Sequence, residues 1–438
     1  MIGIIMFFAS LVMLLYGFPV AFTFAAVSLL FGVIAGIVEI GFDDGLIEGL
    51  TEGISEGLSM FDFMPYRIMS IMENTVLMAI PMFIFMGIIL QKTGLAEKLL
   101  ESMGFLFGEI RGGVAISTVL VGTLLAASTG VVGASVVAMG VISLPVMMKY
   151  KYNTPLACGT ICASGTLGQI IPPSIVLIIL GDVFRVPVGD LFSAAVWPGL
   201  GLVAAYIIFI LIVSYFKKDM APAIPKDPSR GSKMKQVIKA LIDIIPSLTL
   251  ILFVLGSIFA GIATPTESSA IGCLGAVLLA VAYRSFSLDM VKEAAFESVK
   301  VTSMVFAILI GATAFSMVFT YTGGDEIVEH FMMNLPGDEK IAFILFTMLA
   351  IFILLFFIDF VEISYIIVPI LVPIAMNLQT SFLTPPFGFA LFYLKGVVPD
   401  SVRTIDIYKG VLPFIFIQVA VLLLLVFYPE IFGLSSSM

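Results

Sequence analysis

The chain has 438 residues, 60% of them hydrophobic and 12% charged, with a formal net charge of −9 and a mean hydropathy of +1.17. Soluble domains are about 45–50% apolar and about 25% charged, so this balance excludes a soluble globular protein and points to an integral membrane protein. Many apolar runs reach the ~20 residues that a bilayer-spanning helix needs, and the alternation of a transmembrane barrel is absent, so the expected fold is an all-α polytopic membrane protein.

Residues 1–38 carry no basic stretch and no small-residue cleavage site, and they read as membrane segment rather than signal peptide. Two short apolar runs, 113–127 and 131–148, flank "ASTGVVG"; 156–181 carries "GQIIPPS" inside an otherwise span-like stretch; 190–216 is a full span. The connection 217–239 holds seven Lys/Arg and two Asp, which the positive-inside rule assigns to the cytoplasm. Counting back, 182–190 lies outside, while Lys149, Lys151 and Arg111 lie inside. The short pair therefore enters and leaves on one side, as two short crossings or a re-entrant hairpin. Counting forward, 241–262 and 265–283 go out and return at Arg284, and 301–321 goes out to "GGDEIVEHFMMNLPGDEK", with five acids and one Lys. The second short pair, 341–358 and 363–375, then starts from the outside. One hairpin opens inward and the other outward, as in an inverted-topology repeat.

Three features recur in the same order in both halves. Thr93-Gly94 matches Thr322-Gly323, Pro145 matches Pro373, and Pro172-Pro173 matches Pro385-Pro386. The second half is shorter between the last two (172 − 145 = 27 against 385 − 373 = 12), a shortfall of about fifteen residues around 374–376. It is either a deletion or a stretch missing from the sequence as written. The lack of a polar turn in "VPIAMNLQ" favours the second.

A proline inside a helix costs ~3 kcal/mol or more, and in hydrocarbon the carbonyls it frees survive only where protein buries them or a cavity wets them. Such carbonyls and helix C-termini can coordinate Na+, while half-helix N-termini attract anions. The plain alternative is a kink packed by neighbours; two Pro-Pro pairs at matching places argue against it. The first hairpin turn adds Ser128, Thr129, Gly130 and Ser135, which expose backbone and also suit helix packing. The second, "FIDFVEIS", adds Asp359 and Glu362, acids in a setting where a bare carboxylate costs at least ~2.5 kcal/mol. Glu73 and Glu267 weigh less, each lying near the end of a span. Carbonyls, hydroxyls and a carboxylate are hard ligands, and no phosphate loop is present to take ATP. Cys158 and Cys162 sit four apart without a further Cys or His and read as packing residues; the single histidine, His330, excludes a histidine-based triad or metal centre.

The segments "YGFPVAF", "IPMFIFMGIILQKTG", "ASGTLGQIIPPS", "LFSAAVWPGL", "GIATPTESSA" and "NLQTSFLTPPFGFALF" resemble the large membrane subunit (DctM type) of tripartite ATP-independent periplasmic, or TRAP, transporters, over essentially the whole chain. The resemblance implies an elevator-type transporter of the bacterial cytoplasmic (inner) membrane, with two re-entrant hairpins and two broken helices. It divides the chain into an N-terminal scaffold (1–70), a first transport repeat (71–189), scaffold with the central cytoplasmic loop (190–300), a second transport repeat (301–398) and a C-terminal helix (399–438). It implies coupling sodium ions, two or more, and no organic cofactor. By matching position one sodium site falls near Ser128, Thr129, Gly130, Gly165, Thr166 and Pro172, and the other near Asp359, Thr380, Ser381 and Thr384. Partners implied are a periplasmic substrate-binding protein, a small four-helix membrane subunit, an organic acid substrate and membrane lipid, with no nucleic acid. Because no four further spans precede residue 1, the small subunit is expected on a separate chain.

Three functional classes compete: a sodium-driven importer, a channel with re-entrant hairpins, and an intramembrane enzyme. A channel lacks its ring of like residues, and an enzyme lacks a catalytic His, Cys pair or metal set. Within transport, proton coupling of a carboxylate is the alternative. The expectation is a sodium-coupled carboxylate importer and not an enzyme.

Overall fold

The computed structural model describes residues 1–41, 45–129, 132–224, 233–334, 346, 348–350, 383–384, 389–399 and 401–434. Among the described residues every regular element is helical. In chain order these are α1 (Ile2–Leu15), α2 (Val20–Ile40), α3 (Leu46–Ser59), a 3-10 turn (Met60–Phe63), α4 (Met64–Met72), α5 (Ala79–Lys92), α6 (Leu95–Phe107), α7 (Gly113–Thr129) and α8 (Val132–Lys149). There follow α9 (Thr154–Thr166), a 3-10 turn (Leu167–Gln169), α10 (Ile175–Phe184), α11 (Val188–Phe216), α12 (Lys233–Phe259), α13 (Pro265–Ala282), α14 (Leu288–Tyr321), α15 (Gly324–Met333), α16 (Phe389–Lys395) and α17 (Thr404–Phe427).

Among the described residues six helices are long and apolar enough to cross a bilayer: α2, α11, the 237–259 part of α12, α13, α14 and α17. The pair α5 and α6, bent 58° from each other, has the length and composition of a seventh span. Gly94 sits at that bend with φ +68°, a left-handed conformation open to glycine at little cost. The helix starts follow local chemistry. Asn153 caps α9 by accepting the Leu156 N–H at 3.2 Å. At α13, Thr264 and Glu267 form a capping box: the glutamate takes the Thr264 N–H at 2.8 Å and the threonine hydroxyl takes the Glu267 N–H at 3.3 Å. The acid of "ATPTE" thus starts a helix.

Two helices extend beyond their apolar runs. α12 begins at Lys233 and α14 at Leu288, against runs that start at 241 and 301. "LDMVKEAAFESVK" is rich in good helix formers although polar, so propensity carries the helix past the stretch that hydropathy marks. The amphipathic α3 and α4 likewise have no counterpart in the hydropathy reading.

The chain divides into two compact units, 1–75 with 301–371, and 76–300 with 372–438. In the first, α2 and α3 cross with backbones in contact: a Cβ on Gly36 would collide with Gly53 and Gly57. The Phe24 and Phe315 rings meet there at 5.0 Å, tilted by 59°, and the Tyr321 hydroxyl donates to Glu39 at 2.6 Å. In the second, Lys92 at the end of α5 holds Glu293 and Glu297 of α14 at 3.1 and 3.0 Å, and the Cys273 thiol of α13 donates to the Met82 carbonyl of α5. The α7–α8 hairpin and the α9–α10 break belong to this second unit.

Candidate functional site

"GQIIPPS" breaks a helix. α9 ends at Thr166, the 3-10 turn occupies Leu167–Gln169, and α10 starts only at Ile175. Pro172 and Pro173, joined by a cis peptide bond, have no N–H to give to the carbonyls of Gly168 and Gln169 four residues back. Ser174 repairs one of these losses: its hydroxyl donates to the Gln169 carbonyl at 2.6 Å and accepts the Leu177 N–H at 3.4 Å as the cap of α10. Thr166, Gln169 and Ser174 are each at most 1% exposed. Replacing Ser174 with alanine is expected to lower stability by about 1–3 kcal/mol, from one lost cap and one abandoned buried carbonyl. Thermal unfolding in detergent checks this, with Ser174→Thr as the variant that keeps both bonds and the wild-type midpoint.

The hairpin of α7 and α8 is laid along this broken helix. Near one end the buried Tyr152 hydroxyl accepts the Val114 N–H at 3.3 Å, and burial raises that phenol to about 12, so it stays neutral. Further along, a Cβ on Gly122 would come within 2.6 Å of Ser164, so α7 and α9 run parallel with backbones close. α7 continues seven residues past Gly122 to Thr129, about 10 Å at helical rise, and it packs against the 3-10 turn. α8 returns antiparallel, and a Cβ on Gly165 would sit 3.0 Å from the Val136 Cα. The end of the hairpin therefore lies at the level of the break. Two helix C-termini, of α7 and α9, and two N-termini, of α8 and α10, share that level. The former carry partial negative charge and suit a cation; the latter suit an anion.

Segments from elsewhere close the neighbourhood. α16, which follows the second Pro-Pro pair, lies across α8 and α9. The Tyr393 ring covers Gly133, where a Cβ would be 2.7 Å from it, and the Cys162 thiol faces the Ala390 carbonyl at 3.7 Å. α11, which contains Pro198, also meets the break: a Cβ on Gly199 would be 3.0 and 3.1 Å from Ile171 and Ile170. α17 crosses α9 at Gly159 and Gly410 with backbones in contact.

Of the residues expected at the site, Gly165, Thr166 and Pro172 are buried at the break. Gly165 has a packing reason, the approach of α8. The Thr166 hydroxyl hydrogen is donated to the Ala163 carbonyl at 3.0 Å, which leaves its oxygen free to accept. Ser128 and Thr129 are the last residues of α7. Thr384 is half-buried beside the buried Leu383. Gly130, Asp359, Thr380 and Ser381 lie outside the described residues, as do the second hairpin apart from 346 and 348–350 and the shortfall around 374–376. Gln169, which the motif reading passed over, is fully enclosed with an amide oxygen that has no hydrogen-bond partner. A glutamine in an apolar span, three residues before a double proline, was the available signal.

Residues 5–431 match the family model described as the tripartite ATP-independent periplasmic transporter, DctM component. The chain belongs to this family. The C4-dicarboxylate TRAP transporter large permease protein DctM of Pseudomonas aeruginosa is 30% identical over 375 residues, spanning 82% of this chain and 86% of that one. The isethionate TRAP transporter permease protein DctMQ of Oleidesulfovibrio alaskensis is 29% identical over 371 residues, 81% of this chain and 57% of that longer one. In fold, the structure is similar to the crystal structure of the Alcanivorax borkumensis YdaH transporter, with a TM-score of 0.60 at 12% identity over 97% of this chain and 99% of that one. As a DctM component the chain is a large permease of the inner membrane, a transport protein and not an enzyme, and it performs secondary uptake of a solute with a binding protein.

Proposed function

We propose that this DctM component couples inward movement of Na+ to uptake of an organic acid, a carboxylate delivered by a periplasmic binding protein, through elevator-type alternating access. What carries the reading is the hairpin end of α7 and α8 lying at the level of the α9–α10 break, where oxygen-rich helix ends suit a small hard cation and the N-terminus of α10 suits an anion. The C4-dicarboxylate relative supports a carboxylate substrate. In this reading 71–189 and 301–398 move as the transport domain against a scaffold of 1–70 and 190–300, and Asp359, Thr380, Ser381 and Thr384 serve a second sodium site. A small four-helix subunit completes the assembly. The isethionate relative is named DctMQ and is longer than this chain, so the small subunit is either a separate chain or fused to this one.

Reconstituted with its small subunit and cognate binding protein, the permease is expected to accumulate the organic acid only under an inward Na+ gradient. Uptake sustained by a proton gradient in sodium-free buffer would overturn sodium coupling. Asp359→Asn should raise the Na+ concentration for half-maximal uptake by about tenfold, the loss of one charged ligand; an unchanged value removes Asp359 from the site.

A further inference from the structure

Gln169 is 1% exposed, and among the described residues its amide oxygen is buried without a hydrogen-bond partner. A buried acceptor left unmade is a standing cost to the fold, and a leucine of similar size would relieve it. The neighbouring hydroxyls do not turn to it. Thr160, Ser164 and Thr166 donate to the Leu156, Ile161 and Ala163 carbonyls of their own helix, and Ser174 donates to the backbone of Gln169. Pro172 has meanwhile deprived the Gly168 carbonyl of its helical donor. Two oxygens without their usual donors thus occur in successive residues, at the level where α7 and α9 end with their negative poles.

We propose that the Gln169 amide oxygen is a direct ligand of the coupling cation at the α9–α10 break, acting beside the Gly168 carbonyl. The inference rests on the sodium reading above and adds a side-chain ligand to it. The uncharged break selects a monovalent ion. The break itself contains no carboxylate, and Asp182, the next acid along the chain, sits at the far end of α10. Neutral oxygens alone suit Na+, whereas a divalent ion calls for carboxylates to offset its charge.

The test is thermal unfolding of the purified permease in detergent across a titration of NaCl, with choline chloride holding ionic strength constant. The wild-type midpoint should rise with Na+, since an ion that binds the folded state stabilises it by mass action. Gln169→Leu should unfold at the same or a higher temperature in choline, because an unpartnered oxygen has gone. Its half-saturating Na+ should nevertheless rise about tenfold or more, as for one lost bond to a charged group. Gln169→Glu, which keeps an oxygen in place, should retain the Na+ response. If Gln169→Leu does not fold, Gln169→Met removes the same oxygen with a more adaptable side chain and is read identically. Wild-type Na+ affinity in the oxygen-free variants overturns the assignment of Gln169 while leaving sodium coupling intact. A wild-type protein whose midpoint ignores Na+ overturns the sodium reading itself, and the assignment with it.

Discussion

Replacing Gly410 with valine is expected to leave little folded permease. At this crossing the backbone of α17 touches that of α9, and each helix blocks the other. A Cβ on Gly410 would collide with the Pro155 carbonyl and lie 2.9 Å from the Gly159 nitrogen, and a Cβ on Gly159 would collide with the Gly410 carbonyl. Overpacking a core that can yield costs about 1–3 kcal/mol. Here the obstacle is main chain on both sides, so the two helices must separate, and the cost should exceed about 3 kcal/mol. Fluorescence-detected size exclusion and the unfolding midpoint measure it, with Gly410→Ala falling between valine and wild type. Gly256 in α12 supplies the control, since a Cβ there meets nothing within 4 Å. Gly256→Ala should be neutral or stabilising by up to about 1 kcal/mol through helix propensity. A Gly410→Val protein as stable as the wild type would show that the crossing is looser than this contact implies.

The second large effect separates stability from transport. In the double variant Pro172→Ala and Pro173→Ala, two N–H groups return at positions where the chain now has none, and α9 can run on toward α10. Wherever the extended helix forms, alanine is favoured over proline by ~3 kcal/mol, so the unfolding midpoint should hold or rise. Uptake should fall about a hundredfold or more, because the carbonyls of the proposed ion site would be tied into helix. The two readouts move in opposite directions, which a general folding defect does not produce. Uptake within about twofold of wild type would mean the break is only a kink, and a kink is worth little to transport.

Spans and breaks were the legible part of this fold. The hairpin runs read at 113–127 and 131–148 became α7 and α8, ending at Thr129 and starting at Val132, and the double proline marked the gap between α9 and α10. Hydropathy works there because hydrocarbon imposes one rule on every residue that faces it. It failed at the polar starts of α12 and α14 and at α3 and α4, where helix propensity or one-sided burial sets the structure. It carried no pairing information either. Nothing in the sequence around Gly159 tells that Gly410 will press against it, or that Tyr393 will cover Gly133. The candidate site divides in the same way. The resemblance pointed to Gly165, Thr166 and Pro172, which the structure buries at the break, whereas Gln169 stands out only once its burial is known, which the packed neighbours supply.

The chain contains a single tryptophan, Trp197, one residue before the proline inside α11. Two residues on, Gly199 presses against Ile170 and Ile171 of the break, while the Trp197 ring itself is 64% exposed on the helix surface. This indole is therefore a built-in optical reporter: its emission comes from one place in the molecule, a few residues from where helix gives way to extended chain. Any rearrangement of the break that shifts α11 will register in that signal, with no label attached and no residue changed.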